Sequence, residues 1–140
     1  MKTLNEWLAD YGESHQNPVN KAIHWICVPV IYFCVFALLW SVHPWAAWGG
    51  LAVALAFYVP VSPRLALGML VLTVAMLAAI PHIPQVMWVA VLLFVVAWIF
   101  QFIGHRVEGK KPSFFKDLQF LLVGPIWLLN FVYRRLGLPT

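Results

Sequence analysis

Four apolar stretches, each close to the length of a bilayer crossing, constrain this chain more than any motif it carries. They run over residues 20–40, 45–61, 65–80 and 86–103. A hydrocarbon core about 30 Å thick takes about 20 residues of helix to cross, and only helices or closed barrels satisfy their own backbone there. The second and third runs, at about 17 and 16 residues, must stand nearly upright or sit where the bilayer thins. Composition agrees: 63% of residues are hydrophobic and 10% charged, against about 45–50% and about 25% in soluble domains. A soluble fold of 140 residues could not hide that much apolar surface. The expected fold is an all-α integral membrane protein, a single domain over residues 1–140.

Charge sets the expected topology. Four antiparallel spans place residues 1–20, the turn at Arg64 and the residues after 104 on one side. The loops at 41–45 and 81–84 fall on the other. All nine Lys and Arg residues lie on the first side or in the C-terminal segment, and the opposite loops hold none. By the positive-inside rule the first side is cytoplasmic.

The flanks are more ambiguous. Leu4, Trp7, Leu8 and Tyr11 follow helical spacing on one face, and Thr3 with Glu6 reads as a capping box. This suits an amphipathic helix lying at the headgroup level, broken at Asn17-Pro18 because proline disfavours helix in the residue before it. No cleaved signal peptide is expected, since the N-terminus is polar up to about residue 20. Residues 113–138 are apolar but interrupted by Gly124-Pro125 and closed by Arg134-Arg135. They are expected to form a bent re-entrant or interfacial helix pair, with a fifth span as the alternative. Cys27 and Cys34 would sit about 10.5 Å apart along one helix, too far to bridge, and read as reduced packing residues.

The topology sorts the five histidines. His15, His24 and His105 fall at the basic boundary, whereas His43 and His82 fall in the opposite loops. His15 and His24, nine apart, would face opposite ways on one continuous helix. They can share a ligand only if the chain reverses between them, as Asn17-Pro18 allows. Gln101, His105 and Glu108 lie on one stripe of the fourth run. Ionisable groups at membrane depth are costly and tend to mark function. Imidazole suits zinc, copper, iron or nickel, and spacing does not choose among them. A non-enzymatic lipid-binding protein with a basic face remains the alternative from a different class. A small transporter is disfavoured because no paired broken helices occur at mid-depth.

The same residues carry a family resemblance. Tyr11, His15, Asn17-Pro18, Asn20, His24 and Pro29 form one signature, and residues 98–105 with Glu108, Lys110-Lys111-Pro112 and Gly124-Pro125 form a second. Together they resemble the DUF962, or Mpo1-like, family over nearly the whole chain. That resemblance implies an Fe(2+)-dependent dioxygenase of fatty-acid α-oxidation, taking a 2-hydroxy fatty acid and O2 to the acid one carbon shorter without 2-oxoglutarate. It implies His15, His24 and His105 as iron ligands. Beside these, Glu108 and Tyr11 are the candidate catalytic residues, and Arg106, Lys110, Lys111, Asn20 and Gln101 the candidates for substrate binding. The partners the resemblance implies are the lipid bilayer and these small molecules, with no nucleic acid. Eukaryotic relatives are placed in the endoplasmic reticulum. The short form here, with no retention signal, implies a bacterial inner membrane with the site facing the cytoplasm.

Overall fold

The computed structural model describes residues 2–109 and 114–140, with side chains left aside over 114–118. Lys110 and Lys111, singled out above, lie outside the described residues. Six α-helices follow in order: α1 (Leu4–Glu13), α2 (Pro18–Val42), α3 (Pro44–Val61), α4 (Pro63–Ala79), α5 (Val86–Glu108) and α6 (Phe114–Arg135). A 3-10 turn, Ile80–His82, follows α4. Among the described residues there is no strand. Among the described residues, four helices are long and apolar enough to cross a membrane: α2, α3, α4 with its 3-10 turn, and α5.

Proline opens three of these four. Pro18, Pro44 and Pro63 each take the first helical position, where the missing N–H costs nothing and the fixed φ favours helix. The residue before each proline caps the helix. Asn17 accepts from the Val19 amide at 2.9 Å, His43 from Trp45 at 3.1 Å and Ser62 from Leu65 at 3.2 Å. The spans therefore begin one to two residues earlier than the apolar runs suggest. A single residue, His43 or Ser62, separates consecutive helices, which makes them antiparallel neighbours. At the far end α5 continues past Ile103 to Glu108 and stops at Gly109, whose φ of 77° supplies the left-handed C-cap.

α2 is the central helix, packed against α3, α4, α5 and α6. Its pairing with α5 is the most extensive. On α5 only Ala90, Ala97, Gln101, Gly104 and His105 are buried. The small residues recur every seven, a spacing that lets helices approach closely in lipid. Gly104 sets the limit, since a Cβ there would collide with Asn20 Oδ1. Elsewhere α5 turns Trp88, Leu92, Val95, Ile99 and Phe102 outward. So large an apolar face is what a bilayer covers. Inside the bundle, Tyr32 Oη and Thr73 Oγ1 share a hydrogen bond of 2.7 Å between α2 and α4.

One expectation is refined and one corrected. The α1 stripe is covered by protein: Tyr11 packs edge-on against Phe120 and tilted on Trp127, both from α6, while Trp7 meets Phe57 of α3. Residues 114–135 form one continuous helix through Pro125, not a helix pair. Proline removes the bond to the carbonyl four residues back and loosens that turn. Tyr58 Oη donates to Leu122 O, the next carbonyl along, at 2.7 Å and ties this turn to α3. At Gly124 a Cβ would meet Tyr11 Oη and Val28 Cγ1, each at 3.1 Å, so Gly124-Pro125 is a close-packing device. α6 meets the bundle near the Ser62 end at both Leu122 and Tyr133, whose Oη donates to Arg64 O at 2.8 Å. Arg134 and Arg135 consequently stay at the same end as Arg64.

Candidate functional site

His15 sits in the short connection between α1 and α2, His24 two turns into α2, and His105 in the last turn of α5. Antiparallel packing of α2 and α5 brings the last two together, and the reversal at Asn17-Pro18 folds His15 over them. Ring centroids are 4.2 Å apart for His15 and His24, 5.5 Å for His24 and His105, and 6.1 Å for His15 and His105. All three are buried. His43 and His82 lie exposed at the other end of the bundle, where His43 caps α3.

Backbone contacts decide which nitrogens face inward. His15 Nδ1 bonds the Tyr11 carbonyl, and His24 Nδ1 bonds the Asn20 carbonyl at 2.9 Å. A carbonyl only accepts, so each Nδ1 carries the proton and each neutral Nε2 keeps its lone pair. This is how second partners commonly orient metal-binding imidazoles. His15 Nε2 is buried and has no hydrogen-bond partner. Burial pushes His15 below its ordinary imidazole value, helped by His105 and opposed by the Tyr11 carbonyl and Glu108. The ring is therefore neutral at pH 7, the state a ligand needs. Tyr11 fixes it further, stacking at 4.0 Å and 9°.

A carboxylate holds the reversal. Glu108 Oε1 accepts from the amides of Gln16 at 3.0 Å and Asn17 at 2.8 Å, and from Asn20 Nδ2 at 3.1 Å. Asn20 Nδ2 also donates to Ser14 O at 3.2 Å. The end of α5 is thus tied to the start of α2, where a negative charge suits the helix dipole. Glu108 and Asn20 organise the loop that carries His15, and neither lines the cavity between the rings.

That cavity, of about 30 Å³, is lined by Tyr11, His15, His24, Gln101 and His105 with Val28, Ile31, Trp98, Phe120 and Leu121. Arg106 is exposed and lies outside it. Val28, Ile31, Phe120 and Leu121 are lining residues that the sequence did not single out, and Trp98 stood out only as part of the second signature. Trp98 had a usable signal, since it shares one helical face with Gln101 and His105 at i, i+3 and i+7. Its Nε1 is buried without a hydrogen-bond partner. Nothing local marks Phe120 or Leu121, which arrive from α6.

The residues suit an ion in donor chemistry. An ion bound at 2.0–2.1 Å through imidazole nitrogen lies about 3.2 Å from the ring centroid, so tetrahedral ligands have centroids about 5.2 Å apart. The three separations here bracket that value. Proximity is present, while a coordination geometry is not: among the described residues no group of three or more His, Cys, Asp or Glu is placed so that it could hold a metal ion.

The pattern of these residues has a counterpart among known proteins. A family model described as 2-hydroxy-palmitic acid dioxygenase Mpo1-like matches residues 1–136. The chain belongs to the Mpo1-like family. It is 31% identical over 142 aligned residues to the 2-hydroxy-palmitic acid dioxygenase MPO1 of Saccharomyces cerevisiae, covering 96% of this chain and 82% of that protein. No solved structure matches the chain. The two signatures read from the sequence lie within this match, and the structure brings Tyr11, His15 and His24 of the first and Trp98, Gln101 and His105 of the second to one cavity.

Proposed function

We propose that this membrane protein is an Fe(II)-dependent dioxygenase that shortens 2-hydroxy fatty acids by one carbon. The observation that carries the reading is the His15–His24–His105 cluster, with Nδ1 of two rings committed to backbone and His15 Nε2 buried without a partner. The printed name of the yeast relative supports the substrate class. Overall, the 2-hydroxy acid and one O2 give the shorter acid, carbon dioxide and water, which balances without a further reductant.

His15, His24 and His105 would hold the iron, which when bound supplies the binding of O2 and the electron transfer that dioxygen chemistry requires. The chain's own residues do the rest. Tyr11 and the Asn20 carbonyl lock the imidazoles, and Glu108 holds the reversal. The Gln101 amide and the Trp98 N–H are the donors available to a substrate carboxylate or hydroxyl. Phe120, Ile31 and Val28 keep water out, which strengthens each polar contact inside.

The test is oxygen uptake by purified protein loaded anaerobically with Fe(II) and given a 2-hydroxy fatty acid, with products read by mass spectrometry. The acid one carbon shorter is expected in step with oxygen consumed, and His105→Ala should abolish both. Uptake that continues unchanged in His105→Ala would remove the cluster from the reaction.

A further inference from the structure

The histidine cavity, at about 30 Å³, has room for about two water-sized groups and none for a long acyl chain. A fatty-acid tail must therefore lie elsewhere. We infer that it lies in the apolar groove between α2, α3 and α6, entered from the cavity past Leu121. This inference rests on the substrate class proposed above.

Continuity is the first argument. The groove, of about 200 Å³, is lined by Tyr32, Val35, Leu39, Gly50, Ala54 and Leu122 among others, and Leu121 lines both it and the histidine cavity. α6 thus forms a shared wall, and the Tyr58 bond to Leu122 O pins that wall to α3.

Helix geometry is the second. At about 100° per residue, His24, Val28, Ile31 and Val35 fall within about 60° of one another on α2. One strip of the helix therefore runs from the imidazole to the groove. From His24 to Leu39 it covers about 22 Å along the axis, so a tail laid there runs deep into a core about 30 Å thick.

Two other apolar grooves compete. The larger, of about 490 Å³, is lined by Pro18, Val19, Ala22, Ile26 and Phe100 and neighbours. On α2 its residues Val19, Ala22, Ile23 and Ile26 lie about 110–170° around from the histidine strip, and Cys27, its nearest, about 70°. It shares no lining residue with the cavity and faces away from it. The third, of about 250 Å³, lies between Trp25, Pro29, Leu72 and Leu128, and it too shares none. Size favours the first competitor, but a tail attached to a head in the cavity cannot reach the opposite face of α2. Connection decides.

Small side chains on α3 set the groove's capacity. Ala54 is buried in its wall, so Ala54→Leu should shorten the tail accepted. Val35→Phe narrows the groove from α2 at a half-buried site, and serves if the Ala54 variant fails to fold. Each should lower kcat/KM for long-chain substrate by about tenfold or more, the scale of one or two methylenes in an apolar pocket. Short-chain substrate should be spared, and Ile26→Trp in the larger groove should change neither.

The deciding experiment needs no turnover. The full chain in nanodiscs is irradiated with a long 2-hydroxy fatty acid carrying a diazirine at its terminal carbon, and the labelled peptides are mapped. Labelling at residues 35–39 or 50–54, reduced about tenfold by Val35→Phe, is the expected result. Labelling around Ile26 and Phe100 or around Leu72, or no site-specific labelling, would overturn the assignment. Labelling in the groove without oxidation would sink the proposed activity while keeping the acyl site, and oxidation with labelling elsewhere would do the reverse.

Discussion

At Glu108 one carboxylate oxygen holds the chain reversal on which His15 depends. Its three donors come from Gln16, Asn17 and Asn20, some ninety residues away in sequence. Glu108→Ala should cost about 0.5–1.5 kcal/mol, because three partly solvated donors lose their acceptor, and should weaken metal binding about 10–100-fold through the loosened His15 loop. Glu108→Gln, which keeps one acceptor oxygen, should fall between; titration with Fe(II) and thermal unfolding read both effects. His15 adds a pH dependence. Its folded pKa lies below the ordinary 6.5, so between 6.5 and that lower value the unfolded chain binds the extra proton and the folded chain does not. Stability should therefore fall as pH drops through 6.5, level off below the folded pKa, and lose that slope in His15→Gln. Unfolding curves across that range check it. The grouping of His15, His24 and His105 was legible in the sequence, because charge fixed the boundary and Asn17-Pro18 supplied the turn. The Glu108 anchor was not, since nothing local shows which distant amides a carboxylate will meet.

Element boundaries follow from caps rather than from hydropathy. Asn17-Pro18, His43-Pro44 and Ser62-Pro63 read as breaks, yet each is a cap followed by a first helical residue. The same ambiguity applies to Gly124-Pro125, where a break in the pattern is a point of close packing inside α6. What resolves it is tertiary: Tyr58 reaches Leu122 O. Tyr58→Phe should remove this tie between α3 and α6 and cost about 0.5–1.5 kcal/mol, measured by thermal unfolding in a mild detergent. Gly104→Ala should do more damage than Gly124→Ala. The added methyl at Gly104 meets Asn20, whose carbonyl orients His24, whereas at Gly124 the contacts of 3.1 Å ask for a small shift. Loss of Fe(II) affinity in the first variant and its retention in the second is the expected contrast.

On the scale of the whole molecule, function is gathered at one end. The three clustered histidines, the Glu108 anchor, both ends of α6 and the described cations with it sit near the Ser62 end, while His43 and His82 mark the other. The small cavity and the apolar groove beside it divide polar head from tail as a lipid substrate would require. Four antiparallel helices bring the end of α5 to the same end of the bundle as the start of α2, which is why a sequence can foreshadow a site whose halves are eighty residues apart. Its lining by α6 could not be foreseen in the same way. The most direct test is elemental analysis of the purified full chain and of five single His→Ala variants. About one iron per chain is expected in the wild type, His43→Ala and His82→Ala, and loss of most of it in His15→Ala, His24→Ala and His105→Ala. Iron that is absent from the wild type, or equally retained in all five variants, would contradict the three-histidine site.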